Sequence, residues 1–188
     1  MWRVKRPTLI VVSGPSGAGK TTLAHELARS LGCPAICRDE IKEGMVHATP
    51  GYRPSPGDEL SHRTLATFFD VLGLLLRAGV TVVAEAAFQD RLWRPGLEPL
   101  AGIASIRIVH CTVDAETARA RIAGRLAGNP LRSAHDDREL LRALAERDAG
   151  AGPVEAFVPV SLEVPTLRVD TSHGYVPALP DILDFSSR

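Results

Sequence analysis

Gly14-Pro15-Ser16-Gly17-Ala18-Gly19-Lys20-Thr21 follows the apolar run Thr8-Leu9-Ile10-Val11-Val12 and opens a pattern with Leu23, Leu27 and Leu31 at helical spacing. The spacing G-x-x-x-x-G-K-[ST], with a strand before it and a helix after it, is that of a phosphate-binding loop. Glycines let the backbone curl until consecutive N–H groups point into one concavity, which is a nest for an anion. The helix opening near Lys20 adds the positive end of its dipole. Lys20 is expected on the β- and γ-phosphates, with the Thr21 hydroxyl on Mg²⁺ and Thr22 beside it. The expected ligand is therefore a nucleoside triphosphate.

Around this loop the chain has the composition of one ordinary globular domain. It has 188 residues, 45% hydrophobic and 23% charged, enough to bury a full core. The 22 basic and 22 acidic residues cancel, so no overall positive field draws the molecule to nucleic acid or anionic lipid. No apolar run approaches the length of a membrane span, and a cytoplasmic location is expected. Nothing in the sequence indicates an oligomeric state. Cys33, Cys37 and Cys111 are too few for a disulfide framework. The Cys33/Cys37 pair lacks companion ligands at zinc spacing, and His25, His62, His110 and His173 have no partner pattern.

Short apolar strands alternate with helical patterns, which predicts an α/β fold with a parallel sheet in a single domain over residues 1–188. A helix over 20–31 stops at Gly32, and strand two, Pro34-Ala35-Ile36-Cys37, ends at Arg38-Asp39-Glu40-Ile41-Lys42. Residues 44–62 are expected to form an acceptor-binding loop, because Pro50, Gly51, Pro54, Pro56 and Gly57 break regular structure there. Tyr52 and Arg53 are its candidate substrate contacts. Leu65, Phe68, Phe69, Leu72, Leu75 and Leu76 then recur with the period of a buried helix face. Strand three, Val80–Ala84, delivers Glu85. A helix over about 90–100 is expected to break near Pro95-Gly96, before a strand at Ser105–His110. An arginine-rich lid is expected over about 114–150, as helices 114–127 and 136–148. Strand five, Thr166–Val169, ends at Asp170, and 177–185 closes the chain as a helix.

Ligands of open parallel sheets sit beyond the carboxyl ends of the strands, where Asp39, Glu85 and Asp170 are delivered. Phosphoryl transfer needs a group to take the acceptor's proton, and Asp39 is the candidate; the alternative is a helix N-cap. Lys42, one turn on, is a candidate contact for the acceptor. Glu85 is the candidate for an Mg²⁺-bound water or the acceptor, against a structural ion pair with Lys42 or Arg38. Asp170 is expected to be structural. Arg119, Arg121, Arg125 and Arg132 are candidates to neutralise a triphosphate, with Arg125 and Arg132 as the catalytic pair. The alternative for each is a salt-laced surface helix.

These residues together resemble the small P-loop kinases that include polynucleotide 5′-kinase, chloramphenicol phosphotransferase, gluconate kinase and the zeta toxins. The resemblance spans nearly the whole chain. Arg38-Asp39-Glu40-Ile41-Lys42 is similar to the Arg-Asp-Asp-x-x-Arg segment of phage polynucleotide kinase, which implies Asp39 as general base and Lys42 as acceptor contact. Arg121-Ile122-Ala123-Gly124-Arg125 resembles the segment that starts the adenylate kinase lid, which implies Arg121 against adenine and Arg125 on the phosphates. The resemblance further implies a five-stranded parallel P-loop sandwich of order 2-3-1-4-5 with a mobile helical lid. No Asn-Lys-x-Asp guanine motif is present, so ATP is expected as the cofactor, with Mg²⁺. The expected activity is transfer of a phosphoryl group from ATP to a hydroxyl of a small molecule, a metabolite or an antibiotic. The alternatives are a polynucleotide 5′-hydroxyl kinase, which net neutrality disfavours, and an ATP-binding switch with no acceptor.

Overall fold

The structure is a computed structural model and describes residues 6–53, 58–128, 141–142 and 157–188. Its centre is β1 (Thr8–Ser13), buried along its whole length. On either side of β1 run β3 (Val82–Glu85) and β4 (Ser105–Thr112), both parallel to it. Outside them lie β2 (Ala35–Cys37) and β5 (Thr166–Asp170), giving one five-stranded parallel sheet of order β2-β3-β1-β4-β5. This is the order that the resemblance implies.

A strand covered on both faces needs apolar residues at every position, and β1 and β3 read that way. Leu9, Val11, Val82 and Ala84 face one core layer, where α3 (Glu59–Arg77) and α4 (Asp90–Leu97) contribute Phe68, Leu72, Trp93 and Leu97. Ile10, Val12 and Val83 face the other, against Leu23 and Leu27 of α1 (Lys20–Leu31) and Ile182 of α6 (Leu179–Ser187). Each fully buried Leu, Ile or Phe contributes roughly 1.5–3 kcal/mol relative to exposure. The period-two alternation of these strands thus makes three layers from one sheet.

The register aligns the functional edge. Val12 pairs with Glu85, and Glu85 pairs with Cys37. The chain therefore leaves β1, β3 and β2 at one level, and the phosphate loop, Glu85 and Asp39 emerge side by side. α2 (Arg38–His47) begins directly at the end of β2, and α5 (Ala115–Gly128) follows β4.

Several expected boundaries move. The 44–62 segment is helical at both ends, because α2 runs on to His47 and α3 starts at Glu59. Gly44 stands inside α2 with nothing within 4 Å of where its Cβ would be, so no close approach requires glycine there. The expected break at Pro95-Gly96 falls inside α4, and the helical path continues as a 3₁₀ turn over Glu98–Gly102. A Cβ on Gly96 would sit 2.3 Å from Cζ of Phe69, so this glycine makes room for an aromatic ring. Arg132 and the helix expected over 136–148, apart from 141–142, lie outside the described residues. Among the described residues no helix is long and apolar enough to cross a membrane.

Candidate active site

Two glycines of the phosphate loop are dictated by close approach. A Cβ on Gly14 (φ +146°) would stand 2.4 Å from the Cys111 carbonyl of β4. One on Gly17 (φ +81°) would meet Ala118 Cα of α5 at 2.8 Å. The loop is thus wedged between β4 and α5, and a side chain at either glycine would force it away from them. Gly19 (φ +66°) leads into α1, so Lys20 and Thr21 stand in the first helical turn. Lys20 Nζ donates to the Pro15 carbonyl at 2.9 Å, which lays the ammonium across the loop.

Beside the loop lies a cavity of about 250 Å³. Ser16, Lys20 and Thr21 form its floor, Arg38 and Asp39 one wall, and Glu85, Ala86 and Ala87 another. Trp93, Ile122 and Arg125 complete it. Asp39, Glu85, Lys20, Thr21 and Arg125 come together here from four elements, α2, β3, α1 and α5.

The Thr21 hydroxyl donates to Glu85 Oε2 at 3.1 Å. Glu85 is 4% exposed, and burial pushes its carboxyl above the ordinary value of 4.5. The Lys20 ammonium pulls the other way, Asp39 adds to the rise, and the Thr21 hydrogen bond opposes it. A hydroxyl and a carboxylate paired beside a phosphate nest are hard oxygen donors of the kind that suits Mg²⁺. The residues present fit that ion. Glu85 does not take the structural partner considered for it, since Lys42 is engaged elsewhere and Arg38 Nη1 donates to Asp39 Oδ1 at 3.1 Å. Arg38 Nε is buried and has no hydrogen-bond partner. A guanidinium edge at the wall of a polar cavity with an unused donor is suited to an acceptor oxygen.

On the other side of Thr21, a second cavity of about 540 Å³ is lined by Gly19, Thr22, Arg121 and Arg125, with Thr171 and Tyr175. Arg121 Nη1 donates to the Gly17 carbonyl at 3.2 Å, and Nη2 to the Thr171 carbonyl at 2.6 Å. Its guanidinium therefore ties α5 to the phosphate loop and to the end of β5. Arg125 lines both cavities, four residues further along the same helix.

Three sequence candidates sit elsewhere. Lys42 is 7% exposed; its Nζ donates to Ser61 Oγ at 3.0 Å and lies 4.0 Å from Asp58 Oδ2. Burial lowers its ammonium pKa, and Asp58 opposes the shift. The Tyr52 hydroxyl donates to the same Asp58 carboxylate, and burial together with that bond raises its pKa to about 12. Both side chains brace the start of α3, where Asp58 is the N-cap and accepts from Ser61 N. Arg53 is exposed and lines neither cavity. Asp170, expected to be structural, accepts from Ser172 N at 2.8 Å and organises the turn after β5.

Sequence reasoning missed Trp93, Thr171 and Tyr175. Thr171 is 3% exposed, and its hydroxyl stands 3.0 Å from the Ala18 carbonyl and 3.1 Å from that of Thr112. The one available signal was its place immediately after strand five. Trp93 lines the smaller cavity and also packs on Phe68 and Phe88 at centroid distances of 5.7 and 4.9 Å.

A family model described as an AAA domain matches residues 9–149. No curated protein sequence matches the chain. Among solved structures, a protein of Chloroflexus aurantiacus J-10-fl provisionally assigned as a kinase shares 24% identity, with 96% of each chain covered and a TM-score of 0.81. The APS kinase of Mycobacterium tuberculosis, solved with AMPPNP and APS, superposes at a TM-score of 0.63 with 16% identity, over 97% of this chain and 99% of that one. A gluconokinase of Sinorhizobium meliloti 1021 gives 0.57 with 22% identity, over 98% and 94%. Family match, strand order and loop geometry agree: the chain belongs to the AAA domain family and has the α/β fold of the small P-loop kinases.

Proposed function

We propose that this chain is an ATP- and Mg²⁺-dependent kinase that phosphorylates a hydroxyl group of a small molecule, with Asp39 as general base. The observation that carries the reading is the single cavity shared by Lys20, Thr21, Glu85 and Asp39, with Arg38 and Arg125 on its walls. A switch protein has no use for a second carboxylate and a guanidinium facing the phosphate cradle. A cavity of about 250 Å³ also suits a compact acceptor.

The main-chain amides of residues 14–21 grip the phosphates, and Lys20 leaves Pro15 to neutralise the β- and γ-oxygens. Thr21 and Glu85 would hold Mg²⁺, which when bound would supply positive charge to neutralise the triphosphate. Asp39 accepts the proton of the acceptor hydroxyl as its oxygen attacks the γ-phosphorus, the bond to the β-bridging oxygen breaks, and ADP leaves. Arg125 stabilises the charge that spreads over the transferring oxygens. Arg38 orients the acceptor through its unused Nε donor. The larger cavity, with Thr22 and Arg121, takes the nucleoside.

A panel of sugars, sugar acids, nucleosides and hydroxylated antibiotics incubated with γ-labelled ATP tests the assignment. Label on an alcohol of at least one compound is the expected result. Tight ATP binding with label found only in inorganic phosphate across the panel would favour the switch reading instead.

A further inference from the structure

A second cluster lies on the outer side of the β2–α2 junction. His25 projects from α1 one turn beyond Thr21, Cys37 ends β2 and is the N-cap of α2, and Glu40 stands in the first turn of α2. His25 Nε2 is 2.7 Å from Glu40 Oε1 and 3.7 Å from Cys37 Sγ, and the three ligand atoms lie within 4.8 Å of one another. Sequence spacing hid this trio, because its partners are not the neighbouring Cys33 but residues brought in from two other elements.

We propose that His25, Cys37 and Glu40 bind a divalent transition ion of the zinc class. The bound ion ties the phosphate-loop helix to the strand end that carries Arg38 and Asp39. Zinc holds nitrogen and carboxylate oxygen at about 2.0–2.2 Å and sulfur at about 2.3 Å, so a tetrahedron has edges of roughly 3.3–3.6 Å. The His25–Cys37 separation of 3.7 Å lies just outside such an edge and closes to it with a small side-chain adjustment. The His25–Glu40 contact opens by about half an ångström to match it, a rotamer-scale adjustment for two half-exposed side chains. Three protein ligands leave a fourth position for water, on the solvent side where His25 and Glu40 are exposed. An imidazole with a thiolate and one carboxylate selects a borderline-soft ion over Mg²⁺ or Ca²⁺. The site is therefore chemically separate from the oxygen donors Thr21 and Glu85.

Without the ion, the Cys37 sulfur keeps its proton. Burial and the charges of Glu85 and Glu40 push the Cys37 thiol well above its ordinary value, and a hydrogen bond to Glu40 adds to this. Metal binding replaces that thiol proton: a sulfur–metal bond forms, the S–H bond breaks, and one proton passes to buffer. The ion fixes the approach of α1 to α2 and with it the distance from the phosphate cradle to Asp39. Such a clamp needs no catalytic turnover to be seen.

Cobalt(II) titration of the full chain, without nucleotide, tests the proposal. The expected result is one Co²⁺ per chain with a thiolate-to-cobalt charge-transfer band, displaced stoichiometrically by Zn²⁺. His25→Gln and Glu40→Gln alter half-exposed positions and leave the core intact. Each should weaken binding at least about 100-fold, because loss even of an outer-shell partner weakens metal sites roughly 10- to 100-fold. Cys37→Ser should abolish the band, and Cys33→Ser should leave it unchanged. A band that survives His25→Gln at full affinity, or one that disappears with Cys33→Ser, overturns the proposal. So does the absence of any band in a chain whose circular dichroism is that of the folded protein.

Discussion

Burial decides how Glu85 titrates, and with it the metal-holding role proposed for this carboxylate. Its carboxyl titrates above 4.5 because the charged form loses water, and Lys20 compensates only in part. A carboxyl with a raised folded-state pKa favours the folded state most when protonated, below its unfolded value. That contribution is lost as pH rises through the shifted value. Mg²⁺ held by Glu85 would compete with the same proton, so Mg²⁺ affinity in the presence of ATP should rise more steeply with pH above 4.5 in the wild type than in Glu85→Gln. Calorimetric titration of both proteins across acid to neutral pH would show it. Identical profiles would mean that Glu85 does not hold the ion. At the same scale, Gly17→Ala brings a methyl to 2.8 Å from Ala118 Cα on a backbone of φ +81°. Loop and α5 must then separate, and ATP binding should weaken while the sheet survives, as equilibrium dialysis with far-ultraviolet circular dichroism would report.

At the scale of elements, the start of α3 concentrates three interactions on one carboxylate. Asp58 caps the helix, accepts from Tyr52 and faces the buried Lys42 ammonium. Asp58→Ala removes a cap worth about 0.5–2 kcal/mol and leaves a buried cation short of its counter-charge. A loss of about 2–4 kcal/mol is expected, or a fall in melting temperature of about 5–15 °C at the roughly 2–4 °C per kcal/mol of a chain this long. Tyr52→Phe should cost only a fraction of that. An Asp58→Ala variant melting with the wild type would show that the cluster is not structural. The same region shows what sequence can reveal. The Leu65-to-Leu76 stripe announced α3 because burial has a period, whereas Lys42 and Tyr52 carry no pattern that says whether a polar side chain turns to substrate or to a helix cap. Pro95 and Gly96 mark where the helix changes rather than where it stops: α4 is shaped around Phe69 and gives way to a 3₁₀ turn just after Gly96.

For the molecule as a whole, the parallel sheet places the phosphate loop, Glu85 and Asp39 at one edge through the register Val12–Glu85–Cys37. That convergence was legible from strand ends alone, because Glu85 directly followed an apolar run and Asp39 stood two residues beyond another. Trp93, Thr171 and the trio of His25, Cys37 and Glu40 were not, since only packing between distant segments unites them. Ligand that bridges these elements should stabilise all of them together. At 100 times its dissociation constant, Mg²⁺-ATP should add about 2.7 kcal/mol, a rise of roughly 5–11 °C in melting temperature. Differential scanning calorimetry would reveal it, and an unmoved transition would contradict the nucleotide site. Amide exchange over residues 119–128 should slow in the same complex, because Arg121 and Arg125 both line the larger cavity, to which the nucleoside is assigned in the proposal.

Single-turnover transfer from γ-labelled ATP to a hydroxylated acceptor, compared between wild type and Asp39→Ala, bears on the centre of the account. Removal of a general base should slow transfer by about 10²–10⁴-fold, with ATP affinity unchanged. Transfer by Asp39→Ala at the wild-type rate would contradict it.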